Sequence, residues 1–291
     1  MFIATLIAVD RLDQGQISES LDRLAVAGCA PSGSGWIDAG RAADIFIGVS
    51  SGARAAIEGA FPGVDIVVQS LVTRSKQLLI ADMDSTMITV ECIDELADYA
   101  GIKPQIAAVT EAAMRGELDF ESALDARVAL LAGLDEAVID RCLAERVTLM
   151  PGARTLVQTM RARGAATVLV SGGFTRFAEP VAAQIGFERA IANVLGIAGG
   201  KLDGTVARPI VGAQTKLDTL SAVASAHSIP IEATLAVGDG ANDLKMIGAA
   251  GLGVAYHAKP VVAAAADARI DHNDLTALLY AQGIPARDWV D

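Results

Sequence analysis

Aromatic side chains are scarce in this chain, 4% of 291 residues, although 52% of the residues are hydrophobic. With so many small residues, the composition suits an α/β enzyme in which helices and strands pack tightly. Cysteine is rarer still. Cys29, Cys92 and Cys142 are scattered, odd in number and form no CxxC, which argues against a disulfide framework and for a reduced, cytoplasmic protein. No segment reaches the ~18 uninterrupted apolar residues of a membrane span. The opening MFIATLIAVD has no basic flank and meets Asp10 too early for a secretory signal. Positive charge is also in short supply, and the net charge of −12 argues against nucleic acid as a general partner. An anionic ligand would need local attraction, from a metal, a few cations and backbone amides. His227, His257 and His272 share no metal-like spacing and read as surface or packing residues. No internal repeat or low-complexity stretch is present.

What is there divides in two, as the length suggests. Residues 1–74 run strand (FIATLIAV), helix (ISESLDRLAVAG), strand (SGWIDA), strand (DIFIGV), helix (ARAAIEGAF), strand (DIVVQ). That β-α-β-β-α-β order is the signature of a small ferredoxin-like module. The loop DRLDQG loosely resembles the turn of ACT-type amino-acid-sensing modules. A structural or dimerising role, giving a homodimer, is an equal alternative. Residues 75–291 instead alternate short apolar runs with helices: QLLIAD, AATVLVSGG, ATLAVGDG, GLGVAYHA and ADARID. Such alternation predicts βαβ units and a Rossmann-like parallel sheet. A helical insertion at about 92–148 is expected either to cap the site or to pack on one side of the sheet. ANVLGIAGGKLDGTV, 192–206, reads as a hairpin turning at Gly199-Gly200.

The first three runs of the larger unit end in polar or glycine residues, and ligands of open α/β sheets bind at those strand ends. The first end supplies Asp82, Asp84, Ser85 and Thr86. Two carboxylates two residues apart on an extended chain share a face. At ~5 Å and an effective dielectric near 20 they repel by about 3 kcal/mol, so the placement needs a purpose. The second end supplies Ser171, Gly172 and Gly173, and the third Gly238, Asp239, Gly240, Asn242 and Asp243. Lys216 lies at the start of an intervening helix. Acids from two strand ends suit Mg²⁺, a hydroxyl with approachable amides suits phosphate, and a lysine adds a point charge. Together they describe phosphoryl transfer, with a carboxylate nucleophile and a second acid to protonate the leaving group.

These residues resemble the haloacid-dehalogenase-like phosphatases over roughly 76–282. DMDST matches the first motif, Ser171 the second, Lys216 the third and GDGAND the fourth. Glu91, seven residues after Asp84, and EAAMRGELDFESALDARV extend the resemblance to the branch that hydrolyses O-phospho-L-serine. It implies Asp82 as nucleophile and metal ligand, and Asp84 as general acid/base whose carbonyl also binds Mg²⁺. Asp239 would be the further ligand, with Asp243 supporting the metal waters. Ser171, the Gly172 amide, Lys216 and Asn242 would hold the phosphoryl group. Glu91 would meet the substrate ammonium and Arg127 its carboxylate, with Met114 and Phe120 over the side chain. A zwitterion does need both charges, and arginine grips a carboxylate with two bonds; without the resemblance, Glu91 reads equally as a helix-start acid and Arg127 as a solvated residue. The expected reaction yields L-serine and phosphate through an aspartyl-phosphate, the last step of serine biosynthesis. Alternatives are a phosphotransferase to an acceptor such as homoserine, a phosphatase for another small ester, or an amino-acid sensor with a lapsed site.

Overall fold

The computed structural model describes residues 1–114 and 117–291, with Met114 described through its backbone alone. The first 70 residues form β1 (Phe2–Ala8), α1 (Gln14–Val26), β2 (Pro31–Asp38), β3 (Ala42–Ile47), α2 (Ala53–Ile57) and β4 (Val64–Ser70). The strands make one antiparallel sheet in the order β2-β3-β1-β4. β1 is central, and its period-2 alternation serves two different faces. Ala4, Leu6 and Ala8 pack with Ile17 and Leu24 of α1 and Ile57 of α2. On the other face, Ile7 joins Ala42 and Val67 in the apolar cluster of the rest of the chain. Asp13 starts α1 with a capping box, its carboxylate accepting from the Gln16 amide at 2.9 Å.

Polar groups on that second face are matched to the far end of the chain. The buried Asp65 carboxylate accepts from the amides of Asp271, His272 and Asn273 and from the Asn273 side chain, at 2.8–3.2 Å. Arg74 donates twice to Asp44 at 2.7 Å, and also to the Tyr280 and Ala281 carbonyls at 3.2 and 2.9 Å. Buried polar groups left unpaired cost free energy, so these bonds fix how the small sheet sits on its neighbour.

The remainder continues through β5 (Leu78–Ala81), α3 (Cys92–Tyr99), α4 (Lys103–Met114), α5 (Phe120–Ala129), α6 (Ala137–Glu145) and α7 (Ala153–Ala162). Next come β6 (Ala166–Phe174), α8 (Thr175–Ile185), β7 (Arg189–Asn193), β8 (Leu195–Ala198), β9 (Lys201–Val206) and α9 (Ala213–Ala226). The chain closes with β10 (Thr234–Gly238), α10 (Leu244–Ala249), β11 (Leu252–Tyr256), α11 (Pro260–Ala265), β12 (Ala268–Ile270) and α12 (Ala277–Ala281). Six strands form a parallel sheet, β12-β11-β10-β5-β6-β7. The chain moves outward on one side of β5 through β6 and β7, then returns to build β10 to β12 on the other. The order therefore switches beside β5, where a crevice opens at the carboxyl ends. β7 is not apparent in the sequence, because this edge strand is half-exposed and short and merges with the hairpin that follows it.

Helices α3–α6 leave and rejoin the sheet through adjacent segments, with Thr89 donating to the Thr148 carbonyl and Met150 to that of Met87. They are the segment expected as a cap, and α4 and α5 contribute residues to the cavity at the strand ends. The hairpin β8–β9 turns at Gly199 and Gly200, both left-handed (φ 59° and 79°) as a two-residue hairpin turn demands. Its tip bonds to the cap: Gly133 and Leu134 exchange backbone hydrogen bonds with Leu202, and the Glu136 amide donates to the Gly200 carbonyl. Arg176 of α8 adds ion pairs to Glu136 and Asp140 of α6 at 3.1 and 2.9 Å.

Replacing Arg74 with alanine would strand Asp44 in a buried interface. Removal of one partner of such a pair costs about 3 kcal/mol. Equilibrium urea unfolding of Arg74→Ala is expected to show a loss of that order, and a loss below about 1 kcal/mol would place the pair among the weak surface bridges.

Candidate active site

Adjacent strands β6, β5 and β10 deliver their polar ends to one cavity of about 430 Å³. Asp82 and Asp84 from β5, Ser171, Gly172 and Gly173 from β6, and Asp239 to Asn242 from β10 form its floor. Glu91, Phe120 and Arg127 form its cap side. Of the expected site residues, Met114 belongs to α4 but its side chain lies outside the described residues, as does Gly116 of the same motif.

Asp82 is the centre of the charge distribution. One of its oxygens accepts from the Met83 amide at 2.8 Å and from the Lys216 ammonium at 2.7 Å. Lys216 is fully buried and reaches the Asp243 carboxylate at 2.6 Å with the same ammonium. It lies against Asp82 at the floor of the cavity, between the two carboxylates. Burial pulls its pKa down, but Asp82 and Asp243 outweigh that and raise it.

Oxygens of Asp82, Asp239 and Asp243 lie within 4.8 Å of one another. Burial, then Asp82, push Asp239 up to about 6, against the opposing Thr86 hydroxyl and Lys259. Burial and Asp82 likewise raise Asp243. Both Asp243 oxygens have partners, Lys216 and the Gly240 amide at 3.0 Å, which sets it back from the cavity. Concentrated carboxylates with one buried ammonium among them form an all-oxygen, electron-rich set of the kind that a hard divalent cation takes.

Asp84 stands apart from that set. Its Oδ1 is buried without a hydrogen-bond partner among the described residues, and burial, then Glu91 and Asp82, raise its pKa well above the carboxylate range against hydrogen bonding from Cys92. The side chain faces the Ser171 loop. A β-carbon on Gly173 would lie 3.0 Å from both Asp84 Oδ2 and Ser171 Oγ, so the missing side chain eases the approach of the loop to this acid. A protonated Asp84 beside an Asp82 that is held by an ammonium is a pair of carboxyl groups poised for different tasks.

At the cap side, Glu91 accepts from the Ser85 hydroxyl at 2.7 Å. Ser85 adopts φ 55°, a left-handed conformation uncommon for serine, at the exit from the aspartate loop. Arg127 is half-buried; its Nε donates to the Ala123 carbonyl at 3.2 Å, and Asp94 and Glu91 supply opposing charge. The Phe120 ring rests on Gly172 and Gly212. One cavity thus holds an anion, a cation and an aromatic cover above the aspartates. Ser85, Thr86 and Lys259 took no assigned role from the sequence. Ser85 and Thr86 sit at a strand end already singled out, and Lys259 follows the end of β11, where the same rule would have found it.

The family model for haloacid dehalogenase-like hydrolases matches residues 79–248. The chain belongs to the haloacid dehalogenase-like hydrolase family. Within it, the chain is 48% identical over 223 residues to phosphoserine phosphatase SerB2 of Mycobacterium tuberculosis, covering 76% of this chain and 54% of that protein. This chain therefore spans little more than half the length of that relative. Its fold is similar to the crystal structure of a haloacid dehalogenase family hydrolase from Salmonella enterica serovar Typhi, with a TM-score of 0.84, 29% identity and coverage of 97% and 98% of the two chains. It is also similar to a phospho-aspartyl intermediate analogue of phosphoserine phosphatase, with a TM-score of 0.66, 36% identity and coverage of 71% and 98%.

In the metal-free protein, Asp239 adds stability below its ordinary pKa of 3.8 and loses that contribution as pH rises through about 6. Asp239→Asn removes the buried charge while keeping an acceptor for Thr86. In chelator at pH 8 this variant is expected to be more stable than the parent chain by about 2 kcal/mol, and the gap should close towards pH 4. Urea unfolding across that range checks it; a parent chain more stable than the variant at pH 8 contradicts it.

Proposed function

We propose that this chain is a Mg²⁺-dependent phosphatase that hydrolyses O-phospho-L-serine to L-serine and phosphate, the last step of serine biosynthesis. The observation that carries this reading is the pairing of Glu91 and Arg127 in the same cavity as Asp82, Asp84 and Ser171. An amino-acid phosphate presents an ammonium, a carboxylate and a phosphoryl group, and the cavity offers a counterpart for each. The relatives named above include proteins titled phosphoserine phosphatase and one solved as a phospho-aspartyl analogue, which supports the same chemistry.

In this reading Arg127 holds the substrate carboxylate, Glu91 its ammonium, and Phe120 covers its short side chain. Met114 shares that covering role in the expected scheme. The Ser171 hydroxyl and the Gly172 amide hold phosphoryl oxygens, with Asn242 at the edge. Lys216, which pairs with Asp82 at 2.7 Å, holds the phosphoryl group together with them. Asp82 attacks phosphorus in line, and the phosphorus–oxygen bond to serine breaks while Asp84 gives its proton to the departing oxygen. The ionised Asp84 then takes a proton from water as that water attacks the aspartyl-phosphate, releasing phosphate and restoring both residues. Asp82, Asp239 and the Asp84 carbonyl would hold Mg²⁺, with Asp243 in support. When bound, the ion neutralises charge between the carboxylates and the phosphoryl oxygens.

We also read residues 1–74 as a distinct ferredoxin-like unit of ACT type, and residues 75–291 as the catalytic unit with its cap at 92–148. The separate sheet and apolar cluster of the first unit support the division. Its two roles, sensing a small amino acid or pairing two copies, separate by calorimetry with serine and by light scattering.

A phosphate-release screen over small phosphomonoesters, with Mg²⁺ or chelator, tests the activity. O-phospho-L-serine is expected to be the preferred substrate, with phosphate release lost in chelator. Asp82→Asn should lower kcat roughly 10⁴-fold or more; near-normal turnover would sink the nucleophile assignment. Added homoserine should leave serine and phosphate as the products, whereas phosphohomoserine would identify a phosphotransferase. Arg127→Ala should cost roughly 10- to 100-fold in kcat/KM on phosphoserine and far less on p-nitrophenyl phosphate, which has no carboxylate. Equal losses on both substrates contradict the role given to Arg127.

A further inference from the structure

The loop that carries Ser171 has a structural difficulty. A β-carbon on Gly173 would meet Asp84 and Ser171 at 3.0 Å, a contact those side chains would have to yield to. The neighbouring Gly172 also lacks a side chain. Two successive glycines form the least restrained backbone available to a chain. The peptide between them nevertheless has to hold one orientation, because its N–H donates to Ser171 Oγ at 2.8 Å. By occupying an acceptor site of that oxygen, the N–H leaves the hydroxyl proton free to point at an anion in the cavity.

The restraint comes from outside the loop. Asn193, the last residue of β7, is 2% exposed. Its Nδ2 donates to the Gly172 carbonyl at 2.8 Å and to the Val211 carbonyl at 3.3 Å, while its Oδ1 accepts from the Val211 amide at 2.7 Å. The Gly172 carbonyl and the Gly173 N–H belong to one planar peptide, so fixing the first fixes the second. Val211 precedes the start of α9, the helix that carries Lys216. One amide side chain therefore ties the Ser171 loop to the segment leading to the lysine that pairs with Asp82.

We propose that Asn193 is a positioning residue for phosphoryl binding, acting through the Gly172–Gly173 peptide on the Ser171 hydroxyl. The proposal rests on the phosphatase reading of the cavity. It differs from a purely structural role in which Asn193 only satisfies Val211. The group that matters is the Nδ2 donor to Gly172, and its effect requires Ser171.

The test compares Asn193→Asp, Asn193→Leu and Ser171→Ala, singly and combined. Asn193→Asp keeps an acceptor for the Val211 amide and loses the amide donor; Asn193→Leu keeps the approximate volume and loses all three bonds. Turnover is followed on phosphoserine and p-nitrophenyl phosphate, and orthovanadate affinity is measured by calorimetry. Both Asn193 variants are expected to lose on the order of 10- to 100-fold in kcat/KM on either ester, with vanadate bound correspondingly more weakly. In the Ser171→Ala background the further loss should shrink to within about threefold. Should Asn193→Leu fail to fold, Asn193→Asp and the vanadate measurement decide. Wild-type turnover and vanadate affinity in Asn193→Asp would overturn the proposal, as would an equal loss with and without Ser171. An active parent chain with unaffected Asn193 variants removes this proposal alone. A parent chain that cleaves no phosphomonoester and binds no vanadate removes the phosphatase reading, and this proposal with it.

Discussion

One buried ammonium among several carboxylates is the constraint on which this molecule turns. Lys216 holds Asp82 and Asp243 at 2.7 and 2.6 Å, yet Asp84 and Asp239 crowd the same region with no cation as close among the described residues. The imbalance costs stability in the metal-free protein, as the upward shift of Asp239 to about 6 records. It also creates the site's capacity. Excess negative charge at the ends of two adjacent strands is the setting that the proposed divalent cation and phosphate ester would complete. The parallel sheet supplies the rigidity that keeps the carboxylates together despite their repulsion.

Much of this could be read from residues alone, because the decisive signals are local. Apolar runs ending in DMD, SGG and GDG mark three strand ends, and the rule that such ends share a crevice brings them together without coordinates. The Gly199-Gly200 hairpin was legible for the same reason, since the turn chemistry lies within four residues. Signals that depend on partners distant in sequence were not. β7 carries a mixed apolar pattern because it is an edge strand, and the two carboxylate partners of Lys216 lie 134 and 27 residues from it in sequence. Asn193 looks like an ordinary polar residue at the start of a hairpin. Its importance lies in a bond to Gly172, 21 residues earlier.

The N-terminal sheet illustrates how a small unit can be built for attachment. One face is apolar and covered by its own helices. The other presents Asp44, Asp65 and Gln69; Asp65 and the Gln69 amide nitrogen bond the last 25 residues directly, and Asp44 does so through Arg74. A flexible tether would not need buried carboxylates, because exposed contacts of low specificity would suffice. The two sheets are thus held in one orientation by hydrogen-bond geometry as much as by apolar area.

The β8–β9 hairpin also acts as a ruler. Its base lies beside Asn193 and its tip is bonded to the cap, while Ala129 and Ala132 of the cap pack close on Gly204 of β9. The height of Arg127 above Ser171 is therefore tied to the length of two short strands. Adding one residue to each would move the hairpin tip by about 3.3 Å and turn the side chains beyond the insertion to the opposite face. The hairpin thus braces the helices that carry Arg127 while contributing none of the residues that line the cavity.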